Sequence, residues 1–194
     1  SGIFKGGDEE NEQYIKRWQL MRSEREENIM EHSQSVAVIA HALAVIRNEV
    51  YGGKADVLKT VLYAMYHETS EVMTGDLPTP VKYYNRSIHG AYKQLEKSAC
   101  EKITDMLPEE LKKGIAPFVL ADEDSEEYRL VKAADRLSAY IKCLEELRSG
   151  NSEFSKAKKS IEEDLHSRHM PEVEYFFENF IPSFSLTLDE LEGF

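Results

Sequence analysis

The chain has 194 residues, of which 41% are apolar, and a formal net charge of −12 at pH 7. This length and apolar content are typical of one domain that buries a core without disulfide bonds. The acidic balance argues against a nucleic-acid polymer as partner, because DNA and RNA are bound by basic surfaces, whereas a metal ion or a few arginines can still bind a small anion.

We therefore expect residues 1–194 to form a single domain, with residues 1–9 as a loose N-terminus. The two cysteines, Cys100 and Cys143, lie inside helical patterns without a partner at metal-binding spacing, which favours a reducing compartment. No stretch approaches the roughly 18 consecutive apolar residues that would span a bilayer, and residues 1–13 are polar. We expect a cytoplasmic protein that does not associate with a membrane.

Apolar residues recur with a period near 3.6, so the chain is predicted to be all-α, with almost every element a helix. Glycine and proline clusters end predicted helices at residues 51–53, 74–80 and 149–151. Asp124 is the predicted N-cap of the helix after the acidic stretch 122–127, with Glu127 completing a capping box. In chain order, the predicted helices span residues 10–21, 28–49, 54–67 and 81–106, then a short helix that begins at 107, and then residues 124–148, 152–167 and 171–179. An apolar tail follows, with Phe180, Ile181, Phe184 and Leu186.

Four residues on three predicted helices are candidates to bind one divalent metal ion. His32 lies four residues before Val36 and so points toward the buried face of its helix. His67 and Glu68 end the next apolar helix, and Asp135 lies at the edge of a buried stripe, where a carboxylate is costly unless it is paired or bound to a metal. Two imidazoles and two carboxylates suit Mn²⁺, Co²⁺, Fe²⁺ or Zn²⁺ better than Ca²⁺. The spacings alone are too wide to be diagnostic, and a lone buried histidine is more often a core residue.

Five phrases carry a resemblance to a known family. They are Arg17-Trp18-x-Leu20-Met21-Arg22, Glu27-Asn28-x-x-Glu31-His32-Ser33, His67-Glu68-x-Ser70-Glu71, the run from Thr74 to Tyr83, and Tyr140-x-Lys142-Cys143-Leu144-Glu145-Glu146. Together they resemble the bacterial 5′-deoxynucleotidase branch of the HD-domain metal-dependent phosphohydrolases, over residues 14–190. The resemblance implies a helical HD-domain bundle, a homodimer, a divalent metal cofactor (Co²⁺ or Mn²⁺ before Fe²⁺, Zn²⁺ or Cu²⁺), and removal of the 5′-phosphate from deoxyribonucleoside monophosphates.

Matched position by position, the resemblance also implies roles for individual residues. It makes His32, His67, Glu68 and Asp135 the metal ligands, with His32, Glu68 and Asp135 also touching substrate, and Glu71 the acid that activates water. Arg17 orients the phosphate and Trp18 crowds the 2′ side of the sugar. The loop that holds the nucleoside consists of Asp76, Leu77, Pro78 and Thr79.

One departure from the family pattern keeps an alternative open. The family has His-Asp where this chain has His67-Glu68, and the additional methylene displaces a carboxylate at a position that tolerates only small shifts. A protein that binds nucleotide and metal without catalysis is therefore one alternative. An HD phosphodiesterase, or a hydrolase of another nucleotide, is a second, against which the Arg17-Trp18 phrase and the loop 76–79 argue.

Residue-level alternatives remain for several side chains. For Glu71 the alternative is an ordinary exposed glutamate. Trp18 could equally be a core anchor, and without the resemblance that interpretation would be favoured. Surface positions are expected for His41 and His89. The three-residue spacing of His166 and His169 is typical of a helical metal pair, but Pro171 interrupts that helix.

Overall fold

The computed structural model describes residues 13–185 of the chain. Within that range the regular elements are helices, without a β-strand, which confirms the all-α prediction. The α-helices of this range are α1 (Ile29–Glu49), α2 (Val57–Tyr66), α3 (Glu71–Thr74), α4 (Thr79–Lys82), α5 (Arg86–Asp105), α6 (Glu109–Val119), α7 (Glu126–Arg148), α8 (Ser155–Ser167) and α9 (Pro171–Asn179). Short 3₁₀ helices lie at Ser152–Phe154 and Ile181–Ser185. The predicted loose N-terminus 1–9, and Leu186 of the apolar tail, lie outside the described residues.

The first predicted helix is wrong. Residues 13–21 form turns, and Lys16 pairs with Asn28 in an isolated antiparallel bridge. The backbone hydrogen bonds of this segment go to the chain just before α1 instead of along a helix: Arg17 N donates to Glu27 O at 2.8 Å, and Ile29 N donates to Ile15 O at 3.1 Å. Residues 10–12 of the predicted helix lie outside the described part of the chain.

Side-chain caps set the helix boundaries that the sequence prediction misplaced. The long helix expected over residues 81–106 is divided, because Asn85 accepts from Ile88 N at 2.8 Å and starts α5 at Arg86. The N-cap of α7 is Ser125 rather than Asp124, whose backbone N–H instead donates to Asp122. The predicted capping box with Glu127 is therefore wrong. α1 follows its prediction, and a capping box between Asn28 and Glu31 starts it.

α1, α2 and α7 surround the centre of the hydrophobic core. Leu43 from α1 and Leu130 and Leu137 from α7 are completely buried, and each such side chain contributes roughly 1.5–3 kcal/mol relative to an exposed one. Within residues 13–185, α1 is the helix long and apolar enough to cross a bilayer by length and composition, and more than half of that stretch is buried inside the protein. These three helices carry the candidate metal ligands.

A buried ion pair fastens the N-terminal segment to α7. Lys142 and Glu146 contact each other one helical turn apart, with 4% and 2% of their side chains exposed. Glu146 also accepts hydrogen bonds from Ser23 Oγ at 2.7 Å, Glu24 N at 2.9 Å and Asn151 Nδ2 at 2.9 Å. The carboxylate therefore fixes residues 23–25, which lie between the Arg17-Trp18 turn and the start of α1.

Candidate metal centre and active site

The four predicted metal ligands meet at one point. His32 comes from α1, His67 and Glu68 directly follow α2, and Asp135 lies in α7. One donor atom from each residue lies within 4.8 Å of the others. His32 Nε2 is 3.0 Å from Asp135 Oδ1 and 3.6 Å from Glu68 Oε1, and His67 Nε2 is 3.1 Å from Glu68 Oε1. Residues separated by more than 100 positions in sequence thus form a single cluster.

The backbone orients the imidazole of His67. Its Nδ1 lies 2.6 Å from the carbonyl oxygen of Ala64, which makes Nδ1 the protonated nitrogen and leaves the lone pair of Nε2 facing the cluster. A backbone carbonyl behind the ring is the usual support of a histidine that binds metal. Burial lowers the pKa of His67, but the adjacent Glu68 outweighs burial and raises that pKa above its ordinary value. The pocket around Nε2 thus attracts positive charge, from a proton or a metal ion.

His32 is neutral and completely buried. Burial and the nearby Arg17 lower its pKa below the ordinary value. Its Nδ1 lies 3.3 Å from Ser138 Oγ, and its Nε2 faces Asp135. A neutral imidazole with one nitrogen directed at a carboxylate cluster is the form that binds a cation.

Both carboxyl groups of the cluster are ionised. Burial alone would raise the pKa of Glu68 and of Asp135, but His67 beside the first, and His32 and Lys132 beside the second, hold both pKa values well below the ordinary range. Lys132 lies three residues before Asp135, and its Nζ is 3.9 Å from Asp135 Oδ2. The cluster therefore offers two anionic oxygens and two imidazole nitrogens.

This donor set fits one divalent cation. Two nitrogens and two oxygens suit borderline ions such as Mn²⁺, Fe²⁺, Co²⁺ and Zn²⁺. Ligand atoms bound at roughly 2.0–2.2 Å from one ion lie about 3–4.4 Å apart, and the donors here already lie within 4.8 Å of one another. Nε2 of His67 is buried and, although it lies 3.1 Å from Glu68 Oε1, makes no well-directed hydrogen bond among the described residues; a bound cation would use its lone pair.

Glu71 is a buried member of the site and not a surface glutamate. It begins α3 after the chain turns through residues 67–70, its backbone N–H donates to Glu68 O at 2.9 Å, and 3% of the residue is exposed. Its Oε2 has no hydrogen-bond partner in the described chain. Burial and the neighbouring charge of Glu68 raise the pKa of Glu71 to about 10. A cation bound to Glu68 would oppose the second of these causes.

Arg17 and Trp18 lie at the edge of the cluster, on the turn that replaces the predicted helix. Arg17 Nη1 is 3.4 Å from Glu68 Oε1, so the guanidinium faces the metal centre. The Trp18 ring packs on Phe154 with 5.2 Å between ring centroids, and the tryptophan also lines the cavity above the cluster. Trp18 is therefore a core contact and a cavity wall at the same time.

A cavity of about 1470 Å³ opens onto the cluster. All the predicted site residues line it except His32, which lies beneath its floor: Arg17, Trp18, His67, Glu68, Glu71, Asp76, Leu77, Pro78, Thr79 and Asp135. Cationic side chains also line it, although the chain as a whole is acidic: Lys82, Lys93, Lys97, Arg129, Lys132, Arg136 and Arg168. Acidic side chains line the same cavity and pair with several of these cations: Lys82 with Glu96, Lys93 with Glu123, and Arg136 and Arg168 with Asp164.

Sequence reasoning gave no role to three residues that the structure places at this site. Lys132 had a signal, because a lysine three residues before a half-buried aspartate lies on the same helical face. Glu27 belongs to a family phrase but contacts Arg17 and Trp18 only because of the unpredicted turn. His89, expected at the surface, is half-buried, stacks on Tyr83 at 4.7 Å and lines the cavity.

The other histidines do not form a metal site in the described part of the chain. His41 is exposed, as expected. His166 Nδ1 lies 2.8 Å from Glu174 Oε1, so its partner is a carboxylate rather than His169. The cluster at His32, His67, Glu68 and Asp135 is the group of potential metal ligands found among residues 13–185.

Comparison with known proteins gives a consistent result. The family model described as 5′-deoxynucleotidase YfbR-like matches residues 10–184. A 5′-deoxynucleotidase of Vibrio cholerae is 52% identical over 178 residues, which cover 91% of this chain and 92% of that protein. The 5′-deoxynucleotidase YfbR of Escherichia coli is 53% identical over 180 residues, covering 91% and 89% of the two chains.

Two solved structures share the fold. An HD-domain phosphohydrolase of Listeria innocua superposes with a TM-score of 0.79 at 20% identity, covering 94% of this chain and 89% of that one. The HD phosphohydrolase DatZ of cyanophage S-2L, solved with dA and one catalytic Zn²⁺ ion, superposes with a TM-score of 0.69 at 18% identity, covering 94% and 99%. The resemblance seen in the sequence is confirmed, and the chain belongs to the YfbR-like family of 5′-deoxynucleotidases, whose fold is that of the HD-domain phosphohydrolases.

Proposed function

We propose that this protein is a metal-dependent 5′-deoxynucleotidase, a phosphoric monoester hydrolase that converts deoxyribonucleoside 5′-monophosphates to deoxynucleosides and phosphate. The observation that carries the proposal is that four metal donors, a buried acid and an arginine converge at the floor of one cavity. Membership of the YfbR-like family supports the choice of substrate.

The proposed ligands are His32, His67, Glu68 and Asp135, and the proposed cofactor is Co²⁺ or Mn²⁺, with Zn²⁺ supported by the ion in DatZ. When bound, the cation polarises the phosphate and lowers the pKa of coordinated water. Arg17 supplies a planar fork of donors that matches two phosphoryl oxygens. Lys132, whose Nζ lies 3.9 Å from Asp135 Oδ2, adds a second positive charge.

The proposed reaction uses Glu71 for proton transfer. With the charge of Glu68 offset by the cation, Glu71 reacts as the carboxylate: a water oxygen attacks phosphorus while Glu71 accepts its proton. The bond between phosphorus and the 5′ oxygen breaks, and that oxygen takes the proton from Glu71 and leaves as the deoxynucleoside hydroxyl. Asp76, Leu77, Pro78 and Thr79 form the wall against which the nucleoside lies. The rigid indole of Trp18 closes the space beside the sugar, admitting hydrogen at the 2′ carbon and excluding a hydroxyl.

A substrate panel tests this proposal. Phosphate release is measured from dAMP, dCMP and dTMP beside AMP and CMP, with Mn²⁺, Co²⁺ or a chelator added. We expect release from the deoxy substrates only, its loss with chelator and its recovery when the metal is restored. Cyclic nucleotides and nucleoside triphosphates are tested beside this panel with the products separated by chromatography, because opening a cyclic phosphodiester releases no phosphate. Turnover of these substrates alone would favour the other HD hydrolases.

A second experiment tests whether Glu68 supports catalysis as a metal ligand or whether the protein binds nucleotide and metal without catalysis. Glu68 Oε1 already lies within 3.6 Å of nitrogens of His32, His67 and Arg17, so the longer side chain reaches the cluster. We expect Glu68→Asp to retain bound metal and to change kcat by less than about tenfold, a difference of roughly 1.4 kcal/mol. A silent parent that becomes active on Glu68→Asp would instead show that the protein had lost catalysis at this ligand.

We also propose a homodimer in the cytoplasm. The outward face of α1 supports the dimer, because this helix has no charged residue between Glu31 and Arg47 and leaves Val38 60% exposed. Both cysteines are free, which supports a reducing compartment. Light scattering would give twice the chain mass of 22.3 kDa for a dimer, and cell fractionation tests the location.

A further inference from the structure

We propose that Glu27 is a positioning residue that aims Arg17 at the substrate phosphate and holds Trp18 against the sugar. The catalytic consequence of this positioning role rests on the function proposed above. The positioning itself does not depend on that function, since it is inferred from contacts among Glu27, Arg17 and Trp18. Neither Arg17 nor Trp18 belongs to a regular element, so something other than a helix must fix them.

One oxygen atom of Glu27 holds both side chains. Oε2 accepts from Arg17 Nε at 3.2 Å and from Trp18 Nε1 at 3.1 Å. The side chain of Glu27 is 15% exposed and that of Arg17 is 14% exposed, so water screens this contact weakly. Hydrogen bonds to a charged acceptor are about twice as strong as neutral ones.

The guanidinium of Arg17 contacts two carboxylates, and these two contacts together fix its orientation. Glu27 binds Nε, on the inner edge of the group, and Nη1 lies 3.4 Å from Glu68 at the metal centre. Because the guanidinium is planar, fixing Nε on one carboxylate limits where the two terminal nitrogens can lie. Glu27 thus presents the terminal nitrogens of Arg17 to the point where the phosphoryl oxygens would sit.

The backbone at Trp18 needs such an anchor. Its φ is +59°, in the left-handed region that a bulky side chain seldom adopts without compensating contacts. The backbone hydrogen bond from Arg17 N to Glu27 O, and the turn closed by Met21 N on Trp18 O at 2.9 Å, keep the segment in this shape. Glu27 directly precedes the N-cap of α1, the helix that carries His32. The residues proposed to contact the phosphate, the sugar and the metal are therefore all positioned by the start of this helix.

The fluorescence of Trp18 tests the geometric part without catalysis, because Trp18 is the only tryptophan in the chain. We expect Glu27→Ala to shift its emission to the red and to increase its quenching by acrylamide, since the indole loses its acceptor. Glu26→Ala is the matched control, because Glu26 is 71% exposed and pairs with Lys16 outside the site. Quenching equal to the parent in a folded Glu27→Ala protein would overturn the proposal.

Kinetics test the functional part. In Glu27→Ala we expect kcat/KM for dAMP to fall by roughly 10–100-fold and the preference for dAMP over AMP to narrow, because one charge-assisted contact on each of two side chains is lost. Glu27→Gln keeps the shape and an acceptor for the indole, so it should raise KM while leaving quenching and sugar preference near the parent values. Altered fluorescence in a protein with no activity on any substrate would contradict the proposed function and leave the Glu27 contacts supported. An unchanged deoxy preference in an active Glu27→Ala protein would contradict the positioning role.

Discussion

Replacing Glu71 by glutamine is expected to lower kcat by about 10²–10⁴-fold, the range that one general base contributes. Glutamine keeps the size of the side chain but cannot accept the proton of the attacking water. The residue is 3% exposed and one of its oxygens has no partner among the described residues, so that oxygen is available for proton transfer once a cation on Glu68 opposes the charge that raises the pKa of Glu71. The measurement is steady-state phosphate release with the metal content determined on the same samples.

Two comparisons make this result specific. The metal content of Glu71→Gln should equal that of the parent, because the four proposed donors are intact. Glu123→Gln is the matched control, since Glu123 lines the rim of the same cavity, pairs with Lys93 and is 58% exposed. A Glu71→Gln protein with kcat within a few-fold of the parent would remove Glu71 from the proposed proton transfer.

The largest effect on stability is expected at Glu146. Its replacement by alanine leaves the buried ammonium of Lys142 with the carbonyl oxygen of Arg25 but without a carboxylate, and removing one member of a buried pair costs about 3–5 kcal/mol of unfolding free energy. Ser23, the backbone N–H of Glu24 and Asn151 also lose their acceptor. Urea unfolding followed by circular dichroism measures the loss. The control Glu145→Ala, at an exposed neighbouring position, should change the free energy by about 0.5 kcal/mol or less.

The same carboxylate makes part of the stability depend on pH. Burial alone would raise the pKa of Glu146, but hydrogen bonds from Glu24 N, Lys142, Asn151 and Ser23 hold it below its usual range. A group whose pKa is lower in the folded state stabilises the protein above its unfolded pKa, here 4.5, and this contribution is lost as the pH falls toward the folded value. The difference in unfolding free energy between parent and Glu146→Gln should therefore be constant near neutral pH and shrink below 4.5. A difference that grew on acidification would contradict this assignment.

The helical fold was predictable from periodicity, and most helix ends from glycine, proline and capping residues. The failures have two causes. Residues 13–21 have an apolar spacing compatible with a helix, but their backbone groups bond to residues 27–29, and a contact of that kind leaves no periodic signal. At Asn85 the error was smaller, since an asparagine inside an apolar run can end one helix and cap the next, and periodicity alone does not distinguish the two cases.

The candidate site was predictable mainly through the family phrases. The four donors are too far apart in sequence for spacing to bring them together, and only the packing of α1, α2 and α7 does so. The helix ends at Tyr66, before His67, and the turn through residues 67–70 places Glu68 and Glu71 side by side. Periodicity could not predict that turn, nor could it predict that Glu71 would be buried.

The origin of the donors in three separate helices has a consequence for how the chain holds together. A cation bound by His32, Glu68 and Asp135 would join segments up to 103 positions apart. It would therefore act as a reversible cross-link between α1, the end of α2 and α7. Such a link favours the folded ensemble in proportion to the logarithm of free ion concentration. The active centre and the closing point of the helical bundle are then the same place, so loss of the ion would loosen the core helices as well as stop the chemistry.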